Sequence, residues 1–460
     1  MRARVVAGLA LMAVLSLCAA ASGSEATAAR PSLTRVERRL IGEIDAQNAA
    51  ALALLERVVN INSGTHNLAG VREVGRIFEE ELGQLGFRAR WVDGSGFERA
   101  GHLIAEHPGA GPRILLIGHL DTVFDSGSPF QEFQRTGGNE ARGPGIIDMK
   151  GGDVIVVAAL QALDTAGLLK KMNVVVVMTG DEEDSGRPLK EARTALVAAA
   201  HGAEFAIGFE DGDGELQHAV TARRGSTSWQ ISVKGRAAHS SQIFREDVGA
   251  GAIFEAARIL EAFREQLAGE AHLTFNPGTI LGGTRVEFDP AEGSGTAAGK
   301  GNIIAERAEM SGDLRALTEE QFSSTRRRMQ EIVEASLPHT ESSIHFDEGY
   351  PPLAPSEGND ALLGLYDQAS RDLGFGPVTA VSPDKAGAAD VAFVAGEVPM
   401  ILDGVGLKGR DGHTPGETAD LSTLSIQTKR AALLLYRLSL RAPQGTGPGS
   451  TRRTGGGTPP

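Results

Sequence analysis

The chain has 460 residues, of which 41% are apolar and 23% charged, so it can bury the cores of two or three domains. This balance excludes a chain that is disordered throughout. The formal net charge of −14 argues against nucleic acid as a partner, because binding to phosphates calls for basic patches.

Residues 1–29 have the pattern of a secretory signal peptide. A basic start precedes an apolar stretch from Val5 to Leu17, and small residues follow. That stretch is short for a membrane span, and no later apolar run reaches the length of about 18 residues that a span needs. We therefore expect a periplasmic or secreted protein that is not integral to a membrane. The single cysteine, Cys18, lies within the signal, so the exported chain has no thiolate ligand and no disulfide.

Helical and strand patterns then alternate along the chain. Apolar spacing predicts helices at Thr34–Val59 and Gly70–Phe87, and a third helix that begins at Lys150. Short, fully apolar runs predict buried strands at Ile114–Ile117, Val174–Met178, Phe205–Phe209 and Met400–Leu402. Fully apolar strands separated by helices are typical of a mostly parallel sheet flanked by helices, an α/β fold. We assign 33–218 and 349–441 to this catalytic domain.

The pattern changes within 219–348. Half-buried strands alternate with two helices in the order strand, helix, strand, strand, helix, strand, which predicts a ferredoxin-like α+β domain inserted into the first. The strand patterns include 273–288, read as one alternating segment, and the helices are placed at Asp247–Leu267 and Thr318–Leu337. Residues 442–460 are rich in glycine, proline and threonine without apolar periodicity, and we expect a disordered tail.

Polar side chains follow the predicted strands at the points where they end. Open α/β sheets bind ligands beyond the carboxyl ends of their strands, so these side chains can converge. The candidates are His119, Asp121, Asp148, Glu182, Glu183, Glu210 and His413. Imidazoles and carboxylates without cysteine suit zinc, with cobalt or manganese as replacements, and the set is large enough for two ions.

Each candidate also has a plainer interpretation. The run Asp181–Asp184 can be a solvated loop, and Asp148 can cap the helix that follows it. His413 and Glu210 can be ordinary loop residues, and Asp211 competes with Glu210 as a ligand. The set as a whole, at the ends of several strands, favours a metal site over these single interpretations.

Eight stretches, taken in order and spacing, resemble the zinc exopeptidase family that includes glutamate carboxypeptidase, aminoacylase and succinyl-diaminopimelate desuccinylase. The resemblance covers roughly Leu33 to Arg441. The stretches are GHLDTVF, GPGIIDMKGG, GDEEDSG, GFED, GRAAHSS, GNII, DLR and GRDGH.

The resemblance implies a role for each candidate in a centre of two zinc ions. Asp148 would bridge the ions, with His119 and Glu210 completing one site and Glu183 and His413 the other. Asp121 would orient the His119 ring, and Glu182 would be the general base. The resemblance also implies a cis peptide bond between Asp148 and Met149. Asp181 and Asp184 receive no role and keep the solvated-loop interpretation.

The inserted domain, by the same resemblance, forms a homodimer and acts as a lid. It would contribute His239 to the oxyanion site, and Arg315 with Asn302 to binding of a substrate carboxylate. The sequence departs from better-known members in Ser382–Phe393, where Gly387 to Asp390 replace a glycine-rich segment and Lys385 precedes them. The side-chain preference of those members therefore does not transfer to this chain.

These features predict an exported, dimeric di-zinc metallopeptidase that hydrolyses the amide bond next to a free carboxylate, as a carboxypeptidase or dipeptidase acting on small peptides. One alternative is an N-acyl-amino-acid deacylase, which needs the same metals and differs in the acyl side of the pocket. Another is a non-catalytic binding protein on the same fold, which predicts the loss of the base or of a ligand. The presence of Glu182 and of all five ligands argues against the binding protein.

Overall fold

The computed structural model describes residues 33–290 and 293–442. The predicted signal peptide and almost all of the predicted tail lie outside these residues. The helices are α1 (Arg35–Val59), α2 (Leu68–Gln84), α3 (Gly151–Thr165), α4 (Leu189–Ala200), α5 (Ala252–Leu267), α6 (Glu319–Glu334), α7 (Glu357–Asp372) and α8 (Ser422–Ser439). No helix among the described residues is both long enough and apolar enough to cross a membrane.

A six-stranded sheet forms the centre of the larger lobe. Strands are numbered in chain order, and those of this sheet are β1 (Arg88–Asp93), β2 (Gly101–His107), β3 (Arg113–His119), β6 (Asn173–Thr179), β7 (Phe205–Gly208) and β16 (Ile401–Leu402). Their order is β1-β2-β6-β3-β7-β16. β6, β3, β7 and β16 are parallel, whereas β1 and β2 pair antiparallel at one edge. The predicted mostly parallel α/β sheet is thus confirmed.

Successive residues of the central strands pack on opposite faces of this sheet. Ile114 and Leu116 of β3 belong to the core under α1, α2, α3 and α8, while Leu115 and Ile117 belong to a second core that includes residues of α4. Both faces are therefore covered, which explains why the strands are apolar throughout rather than alternating.

The smaller lobe is built on a second, four-stranded antiparallel sheet. Its strands are β9 (Gly225–Lys234), β10 (Thr274–Gly283), β13 (Arg307–Ala316) and β14 (Glu341–Phe346), in the order β10-β13-β9-β14. Together with α5 and α6 this is the ferredoxin-like arrangement expected within 219–348. Trp229, Ile231 and Val233 of β9 alternate into a core shared with both helices.

The segment 273–288, predicted as one alternating strand, is divided in the structure. β10 ends at Gly283, and β11 (Arg285–Asp289) pairs instead with β12 (Ser294–Ala298) in an exposed hairpin. A Cβ on Gly283 would approach the carbonyl oxygen of Ala298 to 2.5 Å, so glycine allows the two chains to come this close. The unpredicted hairpin begins at this contact.

The remaining strands are short and connect the loops around the larger sheet. They are β4 (Gln134–Gly137), β5 (Glu140–Arg142), β8 (His218–Ala219), β15 (Thr379–Ala380), β17 (Gly409–Arg410) and β18 (Thr418–Asp420). β17, β18, β5 and β4 form one small antiparallel sheet. It joins the segment before Asp148 to the segment around His413.

Candidate metal centre

Three neighbouring parallel strands end at one place and bring the candidate residues together. His119 is the last residue of β3, the turn 181–186 follows β6, and Glu210 follows β7. β3 lies between β6 and β7, so His119 lies between the ends of the other two strands. This is the edge of an α/β sheet at which ligand sites are expected.

Asp148 lies at the centre of the group, with one histidine beside each carboxylate oxygen. Oδ1 is 3.1 Å from His119 Nε2, and Oδ2 is 2.8 Å from His413 Nε2. The two histidines each face a second carboxylate: Glu210 Oε1 lies 3.7 Å from His119 Nε2, and Glu183 Oε2 lies 3.3 Å from His413 Nε2. The arrangement consists of two imidazole and carboxylate pairs that share Asp148.

The electrostatics of this centre are those of crowded, buried carboxylates. Burial raises the pKa of Glu183 and Glu210 above the ordinary range, and the charge of Asp148 raises both further. Burial also acts to raise the pKa of Asp148 itself, but hydrogen bonds with His119 and His413 lower it below its ordinary value. His413 has its pKa raised to about 11 by its hydrogen bonds with Asp148 and Glu183. Positive charge therefore stabilises the site strongly.

The donor set fits a divalent metal ion. Ligand atoms of His119, Asp148 and Glu183 all lie within 4.8 Å of one another. Glu183 Oε1 is buried and has no hydrogen-bond partner, which is costly for a carboxylate oxygen unless a cation binds it. Two nitrogens with carboxylate oxygens are a donor set that zinc accepts, and cobalt or manganese also bind such sites.

The turn that carries Asp148 is held by a buried glutamate that sequence reasoning missed. Glu417 accepts hydrogen bonds from the backbone amides of Gly145 and Ile147, at 3.1 and 2.9 Å. Gly145 has a φ of 69°, a left-handed conformation that suits glycine, and a Cβ there would approach a Thr122 methyl group to 2.4 Å. The expected cis peptide bond between Asp148 and Met149 is present. The one indication of Glu417 in the sequence was its place four residues after the predicted ligand His413.

Asp121 does more than contact the His119 ring. His119 Nδ1 lies 3.0 Å from the backbone oxygen of Asp121 and 3.4 Å from its Oδ1. The carboxylate of Asp121 accepts the amides of both Glu182 and Glu183, at 3.0 and 3.1 Å, and the hydroxyl of Thr65 at 2.7 Å. Asp121 therefore connects the histidine of one proposed site to the backbone of the glutamate pair.

The solvated-loop interpretation of Asp181 is wrong. Its carboxylate is fully buried and lies 2.7 Å from the guanidinium of Arg193, which projects from α4. Asp184 is more than half exposed, in line with the solvated interpretation; it forms an ion pair with Arg99, and its Oδ2 lies 2.9 Å from His66 Nε2. The sequence did not indicate Arg193 as a partner, because nothing in the pattern of α4 shows which way that side chain points.

Three predicted residues lie apart from this cluster, in or beside the small lobe's sheet. His239 is exposed and its Nδ1 is 2.8 Å from Ser241 Oγ, Arg315 donates from Nε to Asp313 Oδ2 at 2.9 Å, and Asn302 is exposed. Among the described residues no hydrogen bond or ion pair joins these side chains to the metal ligands.

The segment Ser382–Phe393 begins with largely exposed residues, and its second half is buried and anchored. Asp390 is buried against Arg193 and Thr179, and the carbonyl of Gly387 accepts from Arg223 at 2.8 Å. Lys385 is exposed. Beside this segment, it is Glu210 rather than Asp211 that faces the His119 ring.

Comparisons with known proteins agree with this geometry. Residues 115–437 match the profile of the family described as Peptidase family M20/M25/M40. The chain is 25% identical over 399 residues to carboxypeptidase G2 of Pseudomonas sp. (strain RS-16), covering 85% of this chain and 90% of the relative. It is 28% identical over 218 residues to acetylornithine deacetylase of Pasteurella multocida, covering 45% of this chain and 54% of that enzyme.

Solved structures show the same fold at low sequence identity. An aminopeptidase from Bacillus cereus superposes with a TM-score of 0.66 at 18% identity, covering 87% of this chain and 98% of the other. A dinuclear metal-binding peptidase of the M20 family from Bacillus subtilis superposes with a TM-score of 0.60 at 16% identity, covering 86% of this chain and 99% of the other.

Proposed function

This chain belongs to peptidase family M20/M25/M40 and is therefore a metal-dependent hydrolase, and from this premise we propose that it is an exported di-zinc carboxypeptidase or dipeptidase. Its substrates are small peptides, cleaved at the amide bond next to a free carboxylate. The observation that carries the proposal is the pair of histidine and carboxylate groups that share Asp148.

Five side chains would hold the two ions in this proposal. His119, Asp148 and Glu210 would hold one, and Glu183, Asp148 and His413 the other. The bound ions supply Lewis acidity, which polarises a carbonyl group and lowers the pKa of water. Similarity to a dinuclear metal-binding peptidase supports two ions rather than one. The set of nitrogen and oxygen donors supports zinc, with cobalt or manganese as replacements.

Glu182 moves the proton in the proposed reaction. Burial raises the pKa of its carboxyl group, and the neighbouring Asp390 and Glu183 raise it further, although the positive charge of His119 opposes them. In the reaction Glu182 takes a proton from the attacking water and returns it to the nitrogen of the leaving amine. Asp121 holds the Glu182 amide, and so fixes where that carboxyl group is placed.

The small lobe recognises the substrate in this proposal. Arg315 and Asn302 bind the free carboxylate, for which the planar guanidinium of arginine is well suited. His239 donates a hydrogen bond to the oxyanion that forms when water adds to the carbonyl. These roles require the small lobe of some copy of the chain to approach the metal centre.

A homodimer provides that approach. Of the nine large apolar side chains that are exposed in the described part of the chain, five belong to the small lobe: Phe244, Ile253, Phe254, Ile280 and Ile303. Phe244 and Phe254 contact each other edge to face, with ring centroids 5.4 Å apart. An exposed apolar group of this kind is typical of an interaction surface, and we propose that a second copy covers it.

Deacylation of N-acyl amino acids is the second candidate. Similarity to acetylornithine deacetylase over about half of each chain favours it, and the chemistry at the metal ions is the same. Location in the periplasm or outside the cell rests on the signal-peptide pattern of residues 1–29. Similarity to carboxypeptidase G2 across most of both chains supports the peptidase over the deacylase.

The proposal is tested by measuring metal content and hydrolysis on one preparation. We expect elemental analysis to find two zinc ions per chain, and chelation to abolish hydrolysis that added zinc or cobalt restores. Dipeptides with a free C-terminus should be cleaved, their C-terminally amidated forms should be cleaved far more slowly, and N-acetyl amino acids should be poor substrates. Preference for N-acetyl amino acids would favour the deacylase instead. Cleavage of free and amidated dipeptides at equal rates would contradict the exopeptidase assignment.

A further inference from the structure

The backbone of Glu182 is held on both sides by side chains outside the metal cluster. Its amide donates to Asp121 Oδ1 at 3.0 Å, and its carbonyl accepts from the Tyr350 hydroxyl at 2.9 Å. The peptide groups before and after Glu182 are therefore both fixed. Since backbone orientation limits the directions in which a side chain can point, these two contacts limit where the Glu182 carboxylate lies.

Arg193 connects the contacts on the Tyr350 side. Its side chain is about 2% exposed, and its hydrogen bonds all lie in this region. Nη1 donates to Asp181 Oδ1 at 2.7 Å, and Nε donates to Asp390 Oδ1 at 2.8 Å. Nη2 lies 3.1 Å from the Asp181 carbonyl oxygen, 2.9 Å from Ser185 Oγ and 2.7 Å from Tyr350 Oη. One guanidinium thus joins three parts of the chain: the turn after β6, the segment Ser382–Phe393 through Asp390, and the stretch after β14 through Tyr350.

The direction of the Tyr350 hydroxyl hydrogen follows from this arrangement. An arginine can only donate, so the Tyr350 oxygen accepts from Arg193, and its single hydrogen remains for an acceptor. The Glu182 carbonyl lies 2.9 Å away, Ser185 Oγ 3.0 Å and the Asp390 carboxylate 3.3 Å. The Ser185 hydroxyl has a hydrogen of its own to donate to the Tyr350 oxygen, so the nearest pure acceptor, the Glu182 carbonyl, is favoured. Burial raises the pKa of Tyr350 well above its ordinary value, so the hydroxyl keeps this hydrogen. Arg193 therefore orients the donor that holds Glu182.

A lysine cannot reproduce these contacts. The Arg193 guanidinium packs against two rings that contact each other, with its central carbon 5.6 Å from the Tyr350 ring centre and 5.3 Å from that of Phe393. It also balances two buried carboxylates, those of Asp181 and Asp390. A planar group with several fixed donors is needed for both tasks, whereas an ammonium is a single point of charge.

We propose that Arg193 and Tyr350 are positioning residues for the general base. Together they fix the Glu182 backbone and couple it to the segment Ser382–Phe393 through Asp390. This inference rests on the proposed function, because it takes Glu182 to be the proton carrier. Among the described residues, neither Arg193 nor Tyr350 forms a hydrogen bond or ion pair with the side chain of a proposed metal ligand. Effects on metal binding can therefore be measured separately from effects on the position of Glu182.

The first experiment compares Arg193→Lys and Tyr350→Phe with the wild type. We expect kcat to fall at least about tenfold in each, because small displacements of a catalytic group carry costs of this order or larger. KM and the number of bound metal ions should stay near the wild-type values. Arg430→Lys is the matched control, since Arg430 is also fully buried but bonds Leu216 and Gln427 instead. It should keep its kcat.

Unchanged kcat in a folded, metal-loaded Tyr350→Phe protein would overturn the inference. That variant removes one oxygen atom, so it keeps the question open to test even if Arg193→Lys fails to fold. A parallel rise in KM or loss of metal would point to a general structural role, and would also contradict it.

Chemical rescue tests whether the guanidinium itself is needed. Arg193, Tyr350 and Phe393 line a cavity of about 840 Å³ between α4 and α6, through which a small cation can reach the space that Arg193→Ala would leave. Millimolar methylguanidinium should restore kcat in that variant, and methylammonium should not. Equal rescue by both ions would show that only charge matters, and would contradict the requirement for a planar donor.

Hydrogen exchange separates this inference from the proposed function. In both variants the amides of Glu182, Glu183 and Gly186, which donate to Asp121 and Asp181, should exchange faster than in the wild type. This readout needs no substrate. If the wild type hydrolyses none of the substrates, the proposed function fails while exchange still tests the positioning; unchanged exchange in both variants would refute the positioning alone.

Discussion

Four consecutive carboxylates, Asp181 to Asp184, are tolerated because each one faces a different source of positive charge. Asp181 is paired with Arg193, and Asp184 with Arg99. Glu183 faces His413, and the charge of His119 lowers the pKa of Glu182 against the effect of burial. Neighbouring residues in one turn can therefore perform separate tasks, because their side chains point into separate surroundings.

Replacing Glu182 by glutamine tests its proposed role as the general base. Glutamine keeps the shape of the side chain and removes its ability to take a proton, so kcat should fall at least about 100-fold, as is usual for losing a general base. Elemental analysis should find the metal content unchanged. Asp184→Asn, in the same turn but more than half exposed, is the control and should retain most of the activity. Near-normal turnover of Glu182→Gln would refute its role as base.

Replacing Arg315 by lysine tests recognition of the substrate carboxylate. Lysine keeps the charge and loses the paired donors, so kcat/KM for free-acid dipeptides should fall, while the slow cleavage of amidated forms should change little. The measured quantity is the ratio of kcat/KM for the two forms. Arg285→Lys, on the exposed hairpin of the same lobe, is the control and should keep the wild-type ratio. A ratio that Arg315→Lys leaves unchanged would remove Arg315 from the substrate site.

The ligands at strand ends could be predicted from the sequence, whereas their supporting partners could not. His119 and Glu210 each follow a run of apolar residues, so the strand and its end are visible in one short segment. Arg193, Tyr350 and Glu417 act on residues that are 12 to about 270 positions away in the chain. Such contacts depend on how whole elements pack, and no local pattern records them.

At the scale of elements, α1 shows how a helix end is joined to the rest of the fold. Thr34 accepts the Glu37 amide and Glu37 Oε2 accepts the Thr34 amide, which is a complete capping box. Glu37 Oε1 also accepts from Arg437 of α8 at 2.8 Å. The start of the first helix is thereby fixed to the last one. α6 begins in a related way: Thr318 accepts the Gln321 amide, but the Gln321 side chain accepts from the Leu317 amide rather than from that of Thr318.

The contact between α1 and α8 predicts how stability depends on pH. Burial by itself raises the pKa of Glu37, but hydrogen bonds from Arg437 and Thr34 outweigh it and hold the pKa below its ordinary value of 4.5. A carboxyl group whose pKa is lower in the folded state than in the unfolded state stabilises the protein at pH values above the unfolded-state pKa. That stabilisation is lost as the pH falls through the folded-state pKa.

Glu37→Gln should therefore destabilise the protein at pH 7 by roughly 1.5 to 3 kcal/mol, the usual range for hydrogen bonds to a charged group. The difference from wild type should shrink as the pH falls below 4.5 and through the lowered pKa of the folded state, where the wild-type carboxyl group also binds a proton. Urea unfolding at several pH values measures both effects. Glu80→Gln, in an exposed pair with Arg76, is the control and should change stability by less than about 1 kcal/mol. A difference for Glu37→Gln that is constant from pH 7 to pH 3 would contradict this account.

For the whole molecule, the two lobes are joined where chain segments cross near the metal centre. Arg223 pairs with Leu353, and Ser226 with Tyr350, in isolated antiparallel bridges. The α/β order and the ferredoxin-like order were both visible in the sequence, because each depends on short runs with one period. The break of 273–288 into two strands was not visible, because it depends on a close approach of Gly283 to Ala298. The same holds for assembly, which no pattern within one chain determines.

In the proposed dimer, His239 of one chain acts in the active site of the other. His239 is exposed on the small lobe, and no hydrogen bond or ion pair within the described chain connects it to the metal ligands. If it donates to the oxyanion, it does so in the active site of a second copy. Losing such a donor costs about 100-fold or more in turnover.

Glu182→Gln and His239→Ala chains should each be nearly inactive as homodimers. Mixed under conditions that exchange subunits, each heterodimer would contain one complete site, formed by Glu182 of one chain and His239 of the other, so activity should reappear. Refolding each variant alone is the control. Verified heterodimers that stay as inactive as their parents would show that His239 does not act across the dimer.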